Sequence, residues 1–235
     1  MLSRIVLKRG GKIEGESPFW ISFSDLMSAL MMLFLVVMAV TLIAVTKNIT
    51  AEEQRKIQRD SDIKELMSRI NEKSRIFQDV RVDETTYRIN LGEKVRFDSK
   101  HSNIQPEDAR FLRQYVPILL DAQNSDIGRQ WIRRIVVEGF TDEDGTYLYN
   151  LELSLNRSQQ VVCVLFAPAS AGETKLVDAQ KRQIQDLFLV GGYSFNSIRA
   201  SKEESRRVEF KVEFWALNEE KLTAPEISKQ EYGAC

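Results

Sequence analysis

The sequence predicts an α+β protein: a single N-terminal transmembrane helix, a helical connector, and an outer domain in which helices pack on a mixed β-sheet. Three observations lead there. From Phe19 to Thr46 the only charged side chain is Asp25; residues 47–82 are polar and helix-prone; residues 83–217 alternate strand-like runs with amphipathic helical ones. A segment 1–17 precedes these parts and a tail 218–235 follows. With 235 residues, 43% hydrophobic and 29% charged, the chain has room for one compact core and an appendage.

Residues 18–46, at a rise of about 1.5 Å each, exceed the hydrocarbon core of roughly 30 Å. A cleaved signal peptide carries a shorter apolar run of about 7 to 15 residues and a small-residue cleavage site, which "TLIAVTKN" matches poorly. Arg4, Lys8, Arg9 and Lys12 outweigh Glu14 and Glu16 ahead of the run. The positive-inside rule then keeps residues 1–17 in the cytoplasm and places the remainder across the inner membrane. Pro18 suits a first helical turn and Trp20 an interfacial belt.

Asp25 falls about seven residues into this helix, roughly 10 Å along its axis. An ionised aspartate in the bilayer centre costs about 2.5 to 3.5 kcal/mol. Two readings follow. A carboxylate near a helix N-terminus is tolerated by the helix dipole and by water; alternatively, Asp25 is a proton-binding site, neutral in apolar surroundings and charged against water or a polar partner. Ser22, Ser28 and Ala29 lie three or four residues from Asp25 and share its face, a small, polar stripe suited to close packing against another helix. One helix cannot enclose a proton path, so the second reading requires a polytopic partner.

The formal charge of -1 with interspersed signs offers no basic stripe, so no nucleic-acid partner is expected. Cys163 and Cys235 form neither a disulfide framework nor a metal spacing and read as free thiols. His101, the lone histidine, sits in "DSKHSN" with no second imidazole and reads as a loop residue. No GxGxxG, Walker A, HExxH or GxSxG occurs, so an enzyme, a metal site and a cofactor are all unexpected.

In the connector, Ile57, Ile63, Leu66, Met67, Ile70 and Phe77 form a thin apolar stripe. It fits a short dimeric coiled coil or a helix packed on its own domain, and spacing does not choose between them. Beyond it, "TYRINL", "VRFD", "IRRIVVEGF" and "RRVEFKVEFWA" read as strands. "PEDARFLRQYVPILLDAQ", "LELSLNRSQQVVCVLFA" and a run from about Lys175 to Leu189 read as helices. Asp142 follows a strand end and Arg157 lies on the next helix, so the two can converge on one pocket; paired opposite charges suit a zwitterion, whose amine bonds the carboxylate and whose carboxylate takes the arginine fork. A turn aspartate and a surface arginine would show the same spacing. An EF-hand is excluded because Gly145 comes at the fourth position rather than the sixth.

Two stretches resemble known families. "FWISFSDLMSALMMLFLVVM" is similar to the single helix of MotB-type stator subunits, and more so to that of the B subunits of Zorya anti-phage defence systems, a branch of that family. The resemblance implies that Asp25 binds the coupling ion, and that two copies of the chain sit inside a ring of five MotA-like polytopic subunits. A lone carboxylate without a ring of oxygen ligands favours protons over sodium. "GFTDEDGTYLYNLELSLNR" resembles the OmpA-like peptidoglycan-binding signature, and residues 85–216 resemble that domain as a whole. It implies that Asp142 and Arg157 hold the diaminopimelate of the stem peptide, with Thr141, Asn150 and Ser154 at neighbouring motif positions and Arg206 and Arg207 before the last strand. Phe140 stands where the family has histidine. The expectation is a dimeric, peptidoglycan-anchored stator subunit of a proton-driven motor. A flagellar stator and a passive tether between membrane and wall are the alternatives.

Overall fold

The computed structural model describes residues 19–169, 172–219, 232, 233 and 235. The chain divides into two compact units, Met1–Gln54 and Arg55–Cys235. The expectations for Arg4, Lys8, Arg9, Lys12 and Pro18, and most of the tail, lie outside the described residues.

Helix α1 (Phe19–Ser74) begins in the first unit. Leu26, Leu30, Met31, Leu33 and Val36 are all more than half exposed, so among the described residues this stretch has no apolar cover. Three of its hydroxyls bond back to the helix itself: Ser28 Oγ donates to Ser24 O at 2.7 Å, Thr41 Oγ1 to Val37 O at 2.9 Å and Thr46 Oγ1 to Leu42 O at 2.7 Å. A hydrocarbon medium demands that arrangement, because it offers no other partner for a hydroxyl. Among the described residues this is the one helix long and apolar enough to cross a membrane.

In the second unit the remaining turns of α1 behave differently. Ile63, Leu66, Met67 and Ile70, spaced i, i+3, i+4, i+7, are at most 1% exposed and belong to the domain core. Polar contacts reinforce them: Arg59 Nε donates to Trp215 O at 2.9 Å, Trp131 Nε1 to Asp62 Oδ2 at 2.9 Å, and Ser74 Oγ meets Tyr115 Oη at 2.9 Å. Of the two readings open for the connector, this part takes the second, a helix packed on its own domain. Ile57 stays exposed and outside that stripe.

The sheet holds five strands: β1 (Arg81–Asp83), β2 (Arg88–Asn90), β3 (Ile132–Gly139), β4 (Phe188–Gly192) and β5 (Val208–Phe214), in the order β1-β2-β5-β3-β4. Only β3 and β4 pair in parallel; the rest are antiparallel, with Ile135 opposite Val212 and Val137 opposite Phe210. These four side chains face a core shared with α1, α2 (Pro106–Asn124), α4 (Tyr147–Phe166) and α5 (Asp178–Leu187); α3 (Asp126–Trp131) and α6 (Lys202–Ser205) are short. The alternate positions carry charge. Arg88 bonds Glu138, and also Glu209 at 3.3 Å; Arg134 pairs with Glu213 at 2.6 Å and Arg207 with Glu209 at 2.7 Å. One face apolar under helices and the other laced with ion pairs is what period-two alternation builds.

Three local expectations are corrected. "VRFD" is not a strand: Gly92–Val95 is a 3-10 turn, and only an isolated bridge links Arg96 to Arg207. The helical run to Leu189 stops at Leu187, where "FLVGG" becomes the parallel edge strand β4, too short a run for periodicity to separate from the helix before it. Cys163 and Cys235 are joined in a disulfide. Their separation of 72 residues left the pairing invisible in the sequence, since only the fold brings the chain end to α4.

Candidate functional site

Asp25 lies on the exposed part of α1, and Ser22, Ser28 and Ala29 share its exposure. Ser28 spends its hydroxyl on Ser24 O. Among the described residues nothing encloses the carboxylate.

The second candidate site is built at the end of β3. Glycine is needed at two positions there, because α4 crosses the strand ends closely: a Cβ on Gly139 would lie 2.0 Å from Ser154 O, and one on Gly192 would lie 2.7 Å from Ser154 Oγ. The loop 140–146 that follows is pinned by backbone bonds, Phe140 N to Arg207 O and Thr141 N to Ser194 O, each 3.0 Å. Thr146 then caps α4 by accepting from Tyr149 N. Ser154 Oγ donates to Leu151 O at 2.8 Å and accepts from Ser194 N at 3.0 Å, so its work is to hold the loop.

Asp142 is buried in this frame. Its Oδ2 accepts from Arg206 Nη1 at 2.9 Å and its Oδ1 from Asp144 N at 3.2 Å. Arg206 also donates from Nε to Phe97 O at 3.1 Å and from Nη2 to Glu203 at 3.1 Å. Burial opposes its charge, but the bonds to Asp142 and Glu203 prevail and raise its pKa. At the rim, Lys202 Nζ reaches Asp144 Oδ1 at 2.6 Å; that contact lowers the Asp144 pKa and raises that of Lys202.

Arg157 is fully enclosed. Its Nε donates to His101 O at 3.0 Å, Nη1 to Phe140 O at 2.8 Å and Nη2 to Asp98 O at 3.1 Å, with the guanidinium 5.0 Å from the Phe97 ring. Burial pushes its pKa down to about 10, with the Asp142 charge pulling the other way, so it stays cationic at neutral pH. Arg207 is likewise committed inward, to Glu209 and to Ser197 O at 3.2 Å, and sits 4.3 Å over the Phe140 ring. Burial lowers its pKa; Glu209 opposes that shift. Phe140 in turn stacks on Tyr193 at 5.3 Å, so the position is a buried aromatic floor for the Arg207 cation.

Of the residues singled out from the sequence, then, Asp142 and Arg206 form the direct ion pair, while Ser154, Arg157 and Arg207 brace the loop. Thr141 and Asn150 are buried around it. Asn150 Nδ2 donates to Asp144 O at 3.1 Å, yet Asn150 Oδ1 and Thr141 Oγ1 are buried without a partner. Buried polar atoms are seldom left so. Lys202 and Asp144 were missed; Lys202 lies 58 residues from its partner in a segment with no motif.

An exposed apolar helix of bilayer length carrying one acid, joined in one chain to an α+β domain with an enclosed charged loop, is the make-up of a membrane-anchored protein. No protein-family profile matches the chain. It is 43% identical over 222 residues, 94% of its own length and 90% of the relative's, to the Zorya protein ZorB of Escherichia coli O139:H28 (strain E24377A / ETEC). Among solved structures it is similar to the cell wall anchor of the T6SS from Pseudomonas aeruginosa (21% identity, TM-score 0.40, covering 63% of this chain and 97% of that one). It is also similar to the periplasmic domain of MotB (18% identity, TM-score 0.39, covering 56% and 65%). The chain belongs to the ZorB family.

Proposed function

We propose that this chain is the peptidoglycan-anchored stator subunit of a proton-driven inner-membrane motor serving Zorya anti-phage defence. The observation that carries the proposal is the 43% identity to ZorB across 94% of the chain, which takes in both the apolar helix and the loop domain. It favours the defence branch over a flagellar stator.

In this reading Asp25 gains and releases protons inside a ring of MotA-like subunits, five around a dimer of this chain. The apolar side chains around it, exposed here, supply the surface for that ring. Each proton brings about 2.3 kcal/mol per 100 mV, enough to bias a helix rearrangement and too little to break a fold. The outer domain holds still by gripping the stem peptide: Asp142, Thr141 Oγ1 and Asn150 Oδ1 offer acceptors for an amine, and Arg206 offers donors for a carboxylate. Arg157 keeps the loop in shape. The chain works as a mechanical element and needs no cofactor other than the proton. Its disulfide fits an oxidising compartment, which supports a cytoplasmic N-terminus and a periplasmic domain.

Two variants test the two halves. Asp25→Asn is expected to abolish protection of cells against phage while the chain still co-purifies with its polytopic partner; undiminished protection would leave only a passive tether. Asp142→Asn, nearly isosteric, is expected to lower co-sedimentation of the detergent-solubilised full chain with sacculi by at least tenfold. Equal sedimentation would remove the pocket from the proposal.

A further inference from the structure

The C-terminal end of the chain lies against an apolar groove of about 730 Å³, lined by Val162 and Phe166 of α4, Ile184 of α5, Phe188 and Val190 of β4, and the tail's own Tyr232. Tyr232 packs its ring on Phe166 with centroids 4.7 Å apart. Cys163, 8% exposed on α4, is bonded to Cys235. These are the only two cysteines, so the chain has no other internal pairing. Among the described residues, the disulfide and that ring contact are what hold the end in place. An aromatic contact alone is a weak match for the entropy of holding a chain end in place.

We propose that the C-terminus is a redox-controlled strap: oxidation fixes Tyr232, Gly233 and Cys235 as one wall of the groove formed with α4, α5 and β4, and reduction by a dithiol oxidoreductase, which leaves as its own disulfide, releases them and opens that side. The oxidant is a disulfide-donating oxidoreductase. The exposed Cys235 thiolate displaces one sulfur of the donor disulfide; the Cys163 thiolate then displaces the donor's remaining sulfur from Cys235. One S–S bond forms, and the two protons and two electrons leave with the donor as a dithiol. A buried thiol in apolar surroundings is a poor first nucleophile, which assigns the opening attack to the chain end.

Full-length chain, purified in detergent with its membrane partner, provides the test. Unreduced protein is expected to take up no maleimide and reduced protein two equivalents. Hydrogen exchange followed by mass spectrometry should then rise at least tenfold on reduction in the tail and in peptides covering residues 158–167 and 188–192, while residues 140–146 stay unchanged. Cys235→Ser should show the fast pattern without reductant and no further response to it. The strap is overturned if both thiols label before reduction, or if reduction and Cys235→Ser leave exchange over the groove as it was. Sacculus binding and phage protection enter none of these readouts, so the strap and the stator reading fail separately.

Discussion

The two halves of α1 carry similar apolar side chains and meet opposite fates. Leu30 and Leu33 are 53% and 64% exposed, while Leu66 and Met67 are at most 1% exposed. The same contrast separates the two aspartates that bear the functional reading. Asp25 stands exposed on a helix surface, whereas Asp142 is buried and held by Arg206. Among the described residues, the N-terminal stretch of α1 therefore leaves its apolar side chains exposed, whereas the C-terminal stretch buries them. The C-terminal unit pairs most of its buried charges internally, as Arg207 does with Glu209 and Arg206 with Asp142.

That contrast can be broken or sharpened by substitution. The largest effect on domain stability is expected from Arg157→Gln, which strips donors from at least two of the carbonyls of Asp98, His101 and Phe140. Each buried acceptor left unpaired costs about 1–3 kcal/mol, so urea denaturation should show a loss of about 4 kcal/mol. A loss of wall binding in that variant would accordingly report on the loop's support rather than on contact with a ligand. Leu66→Ala should cost about 3 kcal/mol through the cavity it leaves, and Leu30→Ala should leave the domain's urea midpoint where it was. Equal effects at the two leucines would erase the distinction between the halves of the helix.

The smallest effect concerns pH. Burial raises the Asp108 pKa to about 6, against an ordinary value of 3.8 and despite the opposing Gln105 backbone bond and Lys94 charge. Because the folded state binds this proton more tightly than the unfolded one, the group's contribution is fully present below about pH 4. It is lost as pH rises through about 6. Asp108→Asn should flatten the fall in urea midpoint between pH 4 and pH 6.5 without lowering stability at neutral pH.

Much of the fold was legible because its signals are local. The charge-free run from Leu26 to Thr46, the amphipathic spacing of α2 and the alternation in β3 and β5 each follow from residues close in sequence. β4 was hidden because five apolar residues directly after a helix show no distinct period. At the site, Asp142 could be found from its motif. The pairing of Asp142 with Arg206, 64 residues on, and the inward commitment of Arg157 depend on which carbonyls the fold brings within reach.

By itself the sequence determined that this chain has a bilayer-length apolar helix interrupted by one acid, because hydrophobic length and charge are sums over adjacent residues. It equally determined the period-two and 3.6-residue patterns that make an α+β domain. Only the tertiary structure decided that the later turns of the connector join the core, that Arg206 meets Asp142, and that Cys235 returns to Cys163. Those are contacts between distant positions. They are selected by the packing of the whole core and leave no periodic trace in the chain.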